Sequence, residues 1–554
     1  MRPKNYLIRL LKVLPSFLIV LSGFISCPAF AADDPEMRKQ VSKMWAAEDF
    51  QGLEKTAEEC RQTKMDVLDR FPRLGYFYAT IRGADIASDE DATLKQQKIE
   101  RWLATKPDSI TALVALADFH ITNAWRARGG NWANEVPSEN WKIFKNRLAK
   151  AQDVLYSPGM KIQADPSIAG MRIILTMAGD DSHTLRDNFE EGTKWWPEYY
   201  PIYDGMARAL LPRWGGLPTD GAQFATRAAD RLTGGKADGL YAMIACTILE
   251  PEGVKFFTES GFDPARHLRG LDILVAEGES SYRPFSTQRA AFVEAMSGDP
   301  ETARRRIFSI GPNTIPSSYL SYDQVFTAWE KCGAMNELLK GISLEGKNML
   351  EEAEAHYVAL TTSDSNPWLE AFALRNGISR LWKPRYGSPS PDFAPEKADP
   401  NQLFELTFFH LCAGNLDKAH TYAEAFDTKR GFNITGKYTL ICIAALHGDL
   451  KALEHLKKNF LALKTGRMNY RLAQDFVSGK SGWKDIYPQM PQDGFFSQAC
   501  ALMASFALGE GRPQEAREIF ETVHRLMPLQ PASAFAESML WGSLHRRFPH
   551  ALSQ

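Results

Sequence analysis

Cysteine is scarce in this chain: seven residues among 554, with no C-x-x-C pair. That excludes the spacings of a zinc ribbon or a thioredoxin-type redox motif. Histidine is sparse too, with eleven residues and no H-E-x-x-H, so ligand spacing predicts no metal and no cofactor. Neither charge is in excess: 65 basic residues stand against 67 acidic ones, a formal net charge of −2. Nucleic-acid binders need a strong basic field, which this composition does not supply. Strand text is missing, since no run of alternating β-branched residues is bounded by turn pairs. The one extended apolar run, Val13 to Ile25, is shorter than the ~20 residues a membrane-spanning helix needs.

That run reads as part of a processing signal. Arg2, Lys4, Arg9 and Lys12 give a basic start, and the apolar stretch follows. Ala29-Phe30-Ala31 then offers small residues at the two positions a signal peptidase reads, ahead of Asp33-Asp34. Residues 1–31 are therefore expected to be a signal peptide, and the mature chain to be exported to the periplasm of a Gram-negative bacterium. Phe24-Ile25-Ser26-Cys27 also resembles a bacterial lipoprotein site, but Phe24 stands where Leu is usual, so lipidation at Cys27 is the lesser alternative. Loss of the four basic residues leaves 61 against 67 acidic, a net charge of about −6.

What the chain does contain is a repeated helical-hairpin signature. Gly298-Asp299-Pro300 leads to Ala303, Ile307 and Ile310. Gly414-Asn415-Leu416 leads to Ala419, Ala423 and Phe426, and Gly511-Arg512-Pro513 leads to Ala516, Phe520 and Val523. Gly suits the left-handed position that closes one helix. Asp299 and Asn415 can cap the next, and Pro300 and Pro513 suit its first turn. Ala at the crossing lets two helix backbones approach closely. Gly448-Asp449-Leu450 follows Gly414 by 34 residues, the period of tetratricopeptide-type repeats. The expected fold is all-α: an α-solenoid of stacked helical hairpins.

The segment from Trp382 to Asn401 holds five prolines and no apolar periodicity, so residues 383–400 are expected to be a linker or a long surface loop. It would divide an N-terminal array, residues 32–382, from a C-terminal array, residues 401–554. Stacked hairpins in each could bury a continuous core.

Three segments carry a family resemblance. They are Asn123 to Ala151, of the form W-x-A-R-G, a loop, then W-x-x-F-x-x-R-L-x-x-A; Met206 to Gly216, with Leu211-Pro212-Arg213-Trp214-Gly215-Gly216; and Ala290 to Gly311. Together they resemble a proteobacterial domain family of unknown function, over roughly Cys60 to Trp329. The C-terminal half resembles ordinary tetratricopeptide repeats. The resemblance implies a helical, tetratricopeptide-like fold with no assigned activity, and protein-binding scaffolds in the C-terminal half.

Catalytic motifs are thin. Glu259-Ser260-Gly261-Phe262-Asp263-Pro264 resembles the E-S-x-F-x-P context of lytic transglycosylases, in which a raised-pKa Glu protonates a glycosidic oxygen. Those enzymes continue with G-L-M-Q, whereas Gly270-Leu271-Asp272-Ile273 follows here. The plain reading is a helix end, a Gly turn and a capped helix start. Gly479-Lys480-Ser481 lacks the earlier Gly of a phosphate loop, since Gln474 stands there. Cys412 and Cys442, in neighbouring helix pairs, are the one pair placed for a disulfide.

Trp125, Arg126, Arg128, Trp132 and Trp141 cluster within seventeen residues, around a Gly-rich insertion between two helices. Arg and Trp are enriched where surfaces hold partners, so these five are the candidate partner-binding residues, for an acidic peptide or a glycan. The competing reading makes them a plug that ties the insertion to the stack. The expected function is a non-enzymatic, exported scaffold binding a protein or peptide. The alternative is a cell-envelope glycan-binding protein or a glycan-cleaving enzyme using Glu259.

Overall fold

The computed structural model describes residues 35–83, 89–129, 136–179, 182–249, 257–277, 283–310, 322–347, 349–361, 366–376, 378–381, 390–430, 434–463, 468–490 and 496–526. Among these residues there is no strand. The first helices are α1 (Pro35–Ala47), α2 (Phe50–Gln62), α3 (Arg73–Arg82), α4 (Asp89–Thr105), α5 (Ile110–Arg128) and α6 (Ser138–Leu155). Then come α7 (Pro166–Gly179), α8 (Ser182–Trp195), α9 (Tyr200–Ala209), α10 (Asp220–Ala229), α11 (Gly235–Leu249), α12 (Pro264–Ala276) and α13 (Arg283–Ser297). The series continues with α14 (Pro300–Ile310), α15 (Tyr322–Lys331), α16 (Ala334–Gly346), α17 (Leu350–Ala359), α18 (Pro367–Asn376), α19 (Pro400–Cys412) and α20 (Leu416–Arg430). It closes with α21 (Ile434–His447), α22 (Leu450–Leu461), α23 (Met468–Val477), α24 (Trp483–Ile486), α25 (Phe496–Gly509) and α26 (Pro513–Leu526). Neighbours in sequence pack as pairs, among them α5 with α6, α7 with α8, α11 with α12, α19 with α20 and α25 with α26. No helix among the described residues is long and apolar enough to cross a membrane.

The hairpin turns follow from their sequence. Gly298, Gly414, Gly448 and Gly511 have φ of 98°, 76°, 73° and 75°, the left-handed region that costs an L-residue roughly 1–2 kcal/mol. The next residue's N–H bonds back five positions: Asp299 to Glu294 O at 3.0 Å, Asn415 to His410 O at 2.8 Å, Asp449 to Ala444 O at 3.0 Å and Arg512 to Ala507 O at 2.7 Å. These are the C-terminal bonds of a Schellman turn. Asp299 and Asp449 then cap the following helix, accepting from Thr302 N at 3.1 Å and Ala452 N at 3.0 Å. Asn415 does not cap; its amide turns to His410 Nδ1 at 3.5 Å. Ala303, Ala419 and Ala516 are fully buried, as the crossing requires, and Ile307, Ala423 and Phe426 are buried with them. The side chains of Phe520 and Val523 lie outside the described residues.

The chain divides into two compact units. Residues up to 293, with 318–324, form one, and residues 294–317 and 325 onward form the other. The units part near residue 293, within α13. The described part of the Pro-rich stretch, residues 390–400, belongs to the second unit. α18 packs on α19 across the Pro-rich stretch, and residues 390–400 are themselves laid down on α19 and α20. Ala398 is buried with Leu403, Leu406, Tyr422 and Phe426, and Phe393 packs against that cluster.

Candidate functional site

The Trp and Arg cluster sits where α5 ends and α6 begins. Gly129, at φ 76°, stops α5, and its N–H bonds Trp125 O at 3.0 Å. Trp125 is 6% exposed, with its ring edge-on to Phe144 at 4.8 Å and to Trp214 at 6.0 Å. The W-x-A-R-G and L-P-R-W-G-G segments, 89 residues apart at their tryptophans, therefore meet through Trp125 and Trp214. Arg128 is 8% exposed; its guanidinium stacks over Trp125 at 5.6 Å and Trp141 at 5.2 Å and donates to Gly129 O at 3.1 Å. Arg126 donates to Asn123 Oδ1 at 3.0 Å and pairs with Asp89, whose carboxyl it holds below the usual range. Trp141 is half-buried against Phe144. Trp132 lies outside the described residues. Trp125, Arg128 and Trp141 thus come together, while Arg126 turns to Asn123 and Asp89.

The other sequence candidates resolve into local structure. Glu259 is exposed at the end of a short helical turn. Ser260 and Phe262 are buried, Gly261 has φ 76°, and Asp263 caps α12 by accepting from Ala265 N at 2.9 Å. Gly479, at φ 76°, ends α23, and Lys480 N bonds back to Asp475 O at 2.9 Å in the same Schellman pattern. Cys442 is not bridged to Cys412: its thiol lies 3.0 Å from Ser505 Oγ, and burial pushes it up to about 11. Cys246 Sγ and His267 Nε2 are 3.7 Å apart, a nucleophile–base pair in composition. Both are buried, and burial with Arg289 pushes the imidazole down to about 3, so the pair reads as a packed thiol beside a neutral ring.

Nothing in the residue spacing signals the buried and half-buried ion pairs of the first unit. Arg61 Nε donates to Asp165 Oδ2 at 3.0 Å and Arg61 Nη2 to Thr111 Oγ1 at 2.6 Å, while Tyr78 OH donates to the same Asp165 oxygen at 2.7 Å. Burial, then Asp165, pushes the Tyr78 hydroxyl well above its ordinary value. A cavity of about 10 Å³, lined in part by Tyr78, Arg82, Lys95, Asp118 and Thr122, has room for one water. A second pair, Asp204 and Arg208 at 2.8 Å, is tied to Thr247 Oγ1 at 2.8 Å. The paired groups are spent on one another, which suits a device that sets helix register.

One surface holds polypeptide. Residues 390–399 run along α19 and α20 as a series of turns, with Phe393 N bonded to Ser390 O at 3.2 Å and Lys397 N and Ala398 N to Ala394 O at 3.1 and 3.2 Å, and are fixed to the helices mainly through backbone carbonyls. His410 Nε2 donates to Pro391 O at 2.7 Å, and Tyr422 OH to Phe393 O at 2.9 Å. Lys429 Nζ donates to Pro395 O at 3.3 Å, Glu396 O at 3.0 Å and Ala398 O at 2.7 Å, which occupies all three ammonium protons. Asn415 on Nδ1 and the Pro391 carbonyl on Nε2 select the neutral Nε2–H tautomer of His410, whose pKa is lowered chiefly by burial. Its ring stacks on Tyr422 at 5.2 Å and 5°. Lys418 Nζ takes Asp392 Oδ1 at 2.7 Å, and Phe393 supplies the apolar anchor. The face is thus a row of side-chain donors beside an aromatic seat, holding a turned segment of the chain by its carbonyls and one aromatic side chain.

The sequence matches no protein-family model, and no curated protein is significantly similar to it.

Proposed function

We propose that this protein is an exported, non-enzymatic helical-repeat scaffold that binds a protein or peptide partner. The observation that carries the proposal is the α19–α20 face, where His410, Tyr422 and Lys429 engage five carbonyls of one non-helical segment. Carbonyl recognition tolerates many sequences, while a seat such as that of Phe393 discriminates among side chains. Export rests on the basic, apolar and Ala-Phe-Ala sequence of residues 1–31. In this reading the Trp125, Arg126, Arg128 and Trp141 cluster organises the first unit, and any partner contact there falls to its half-buried rim at Trp141.

The test is selection of displayed peptides on the purified mature chain, followed by hydrogen exchange of the protein with each selected peptide. Enrichment of peptides that protect particular helices is the expected result. Absence of any enriched peptide would overturn the proposal. So would cleavage of envelope glycan by the purified chain that Glu259→Gln abolishes.

A further inference from the structure

We infer that the polar cavity between α3, α4 and α5 is a binding site for a single monatomic anion, chloride in an ordinary salt medium.

The charge around this cavity does not balance. Arg82 ends α3, Lys95 lies in the second turn of α4, and Asp118 and Thr122 stand one turn apart on α5; all four line the cavity. Arg82 Nε donates to Asp118 Oδ2 at 2.8 Å, so that cation and that carboxylate answer one another. Lys95 stands outside the pair. Its ammonium donates to Arg82 O and makes no ion pair among the described residues. Two cations and one carboxylate leave one positive charge. Lys95 is half-buried, and burial draws its ammonium below the ordinary range, with Arg82 adding to the effect and Asp118 opposing it. A desolvated ammonium whose nearest carboxylate is already taken gains from a further negative charge.

Capping the last carbonyl of α3 accounts for only part of what Lys95 offers. That bond uses one ammonium proton of three, and the other two have no acceptor among the described residues. Thr122 is a second, independent sign. It is 8% exposed, and its hydroxyl has no hydrogen-bond partner among the described residues. Elsewhere in the unit a helical threonine spends its hydroxyl on the carbonyl four residues back, as Thr176 does on Arg172 O at 2.8 Å. Beside the cavity, then, an ammonium and a buried hydroxyl are both donors in want of an acceptor. A water could accept from them, but only an anion also cancels the charge.

Size narrows the class. The cavity is about 10 Å³, close to one water-sized sphere. Its walls at Ile99, Ala115 and Phe119 are buried, so the flexible stem of Lys95 is the part that can make room for the small excess of chloride over water. Sulfate, phosphate and carboxylates are too large to enter. The apolar walls also strengthen attraction between the ammonium and a bound ion, because they lower the local dielectric.

The experiment uses the full mature chain, with chloride replacing gluconate at constant ionic strength so that general screening does not change. Thermal melting of the parent should rise by at least about 2 °C and saturate, as a ligand of the folded state requires. Lys95→Met, which keeps the stem and removes the charge, should show no rise, and Thr122→Val should show a smaller one. The chlorine NMR line should broaden in the presence of the parent, and bromide, not sulfate, should abolish the excess width. A flat melting series with no excess broadening means the cavity holds water alone, and overturns the inference. An equal rise in parent and Lys95→Met places the ion elsewhere and overturns it too. Displacement by sulfate as effective as by bromide refutes a monatomic site. Should Lys95→Met fail to fold, Ala115→Val decides: it fills the cavity while keeping every charge, and should remove both the rise and the broadening. Chloride effects that survive Ala115→Val refute the cavity as the site.

Discussion

Replacing Arg61 with leucine should cost the first unit far more than a surface substitution does. Asp165 is fully buried, and its Oδ2 accepts from Arg61 Nε at 3.0 Å and from Tyr78 OH at 2.7 Å. Its other oxygen accepts from Ser167 N at 2.8 Å, at the start of α7. Arg61→Leu removes the only cation bonded to Asp165 among the described residues, and strands a carboxylate in the interior. Breaking one side of a buried pair costs about 3–5 kcal/mol. The two remaining donors to Asp165 put the expectation near the lower end, about 3 kcal/mol. At about 2–4 °C per kcal/mol for a unit of this size, Tm should fall by roughly 6–12 °C. Asp165→Asn on the Arg61→Leu background removes the stranded charge and keeps an acceptor for Ser167 N. It should recover at least ~1 kcal/mol, a coupling of the size contacting residues show. Urea unfolding of the four proteins of this cycle measures both quantities. An Arg61→Leu protein within ~1 kcal/mol of the parent would refute the reasoning, as would a double variant no more stable than Arg61→Leu alone.

Arg128→Ala should lower stability by about 1–2 kcal/mol through loss of two aromatic contacts, and an unchanged melting curve would instead return Arg128 to the list of surface residues open to a partner. Ala516→Trp should destabilise the second unit by about 1–3 kcal/mol, since overpacking a filled crossing moves backbone; a parent-like melt would show the hairpin register to be wrong. His267 titrates near 3 in the folded chain against about 6.5 when exposed, so the unfolded chain takes up its proton first as pH falls. The stability this neutral ring contributes is complete above about pH 6.5 and drains away down to about pH 3, with about 2 kcal/mol gone by pH 5. His267→Leu should flatten the stability–pH curve by that amount between pH 7.5 and 5, and a curve as steep as the parent's would rule the assignment out.

The turns were legible in the sequence because their physics is local. Gly298, Gly414 and Gly511 advertise a left-handed residue, and the alanines five positions on mark the crossings. A further turn escaped notice because Glu48 fills the glycine position at φ 56°. There Asp49 N still bonds back five residues to Met44 O at 2.9 Å, and Asp49 caps α2 through Gly52 N. Asn415 carried a capping signal that His410 diverted, a competition no single-residue preference reveals. Residues 383–400 looked like a linker since their prolines preclude helix. What anchors residues 390–400 is donated by His410, Tyr422 and Lys429, which read as ordinary helix residues. Arg61 and Asp165 are 104 positions apart, and nothing in their spacing announces a contact that only the stacking of α2 against the start of α7 creates. The Trp and Arg cluster was visible as a composition, but its inward geometry depends on Trp214 and Asp89 arriving from other helices.

The five-residue back-bond at each hairpin turn has a mechanical consequence. A turn sealed by its own neighbours carries little load from distant parts of the chain, so tension applied at the two ends of an array would not be shared through a common sheet. Hairpins would give way one after another, each behaving as a separate fuse. The pair Pro400–Arg430, drawn out at about 3.3–3.6 Å per residue, would release a length on the order of 100 Å, and its turn could re-form from local bonds alone once the tension eased.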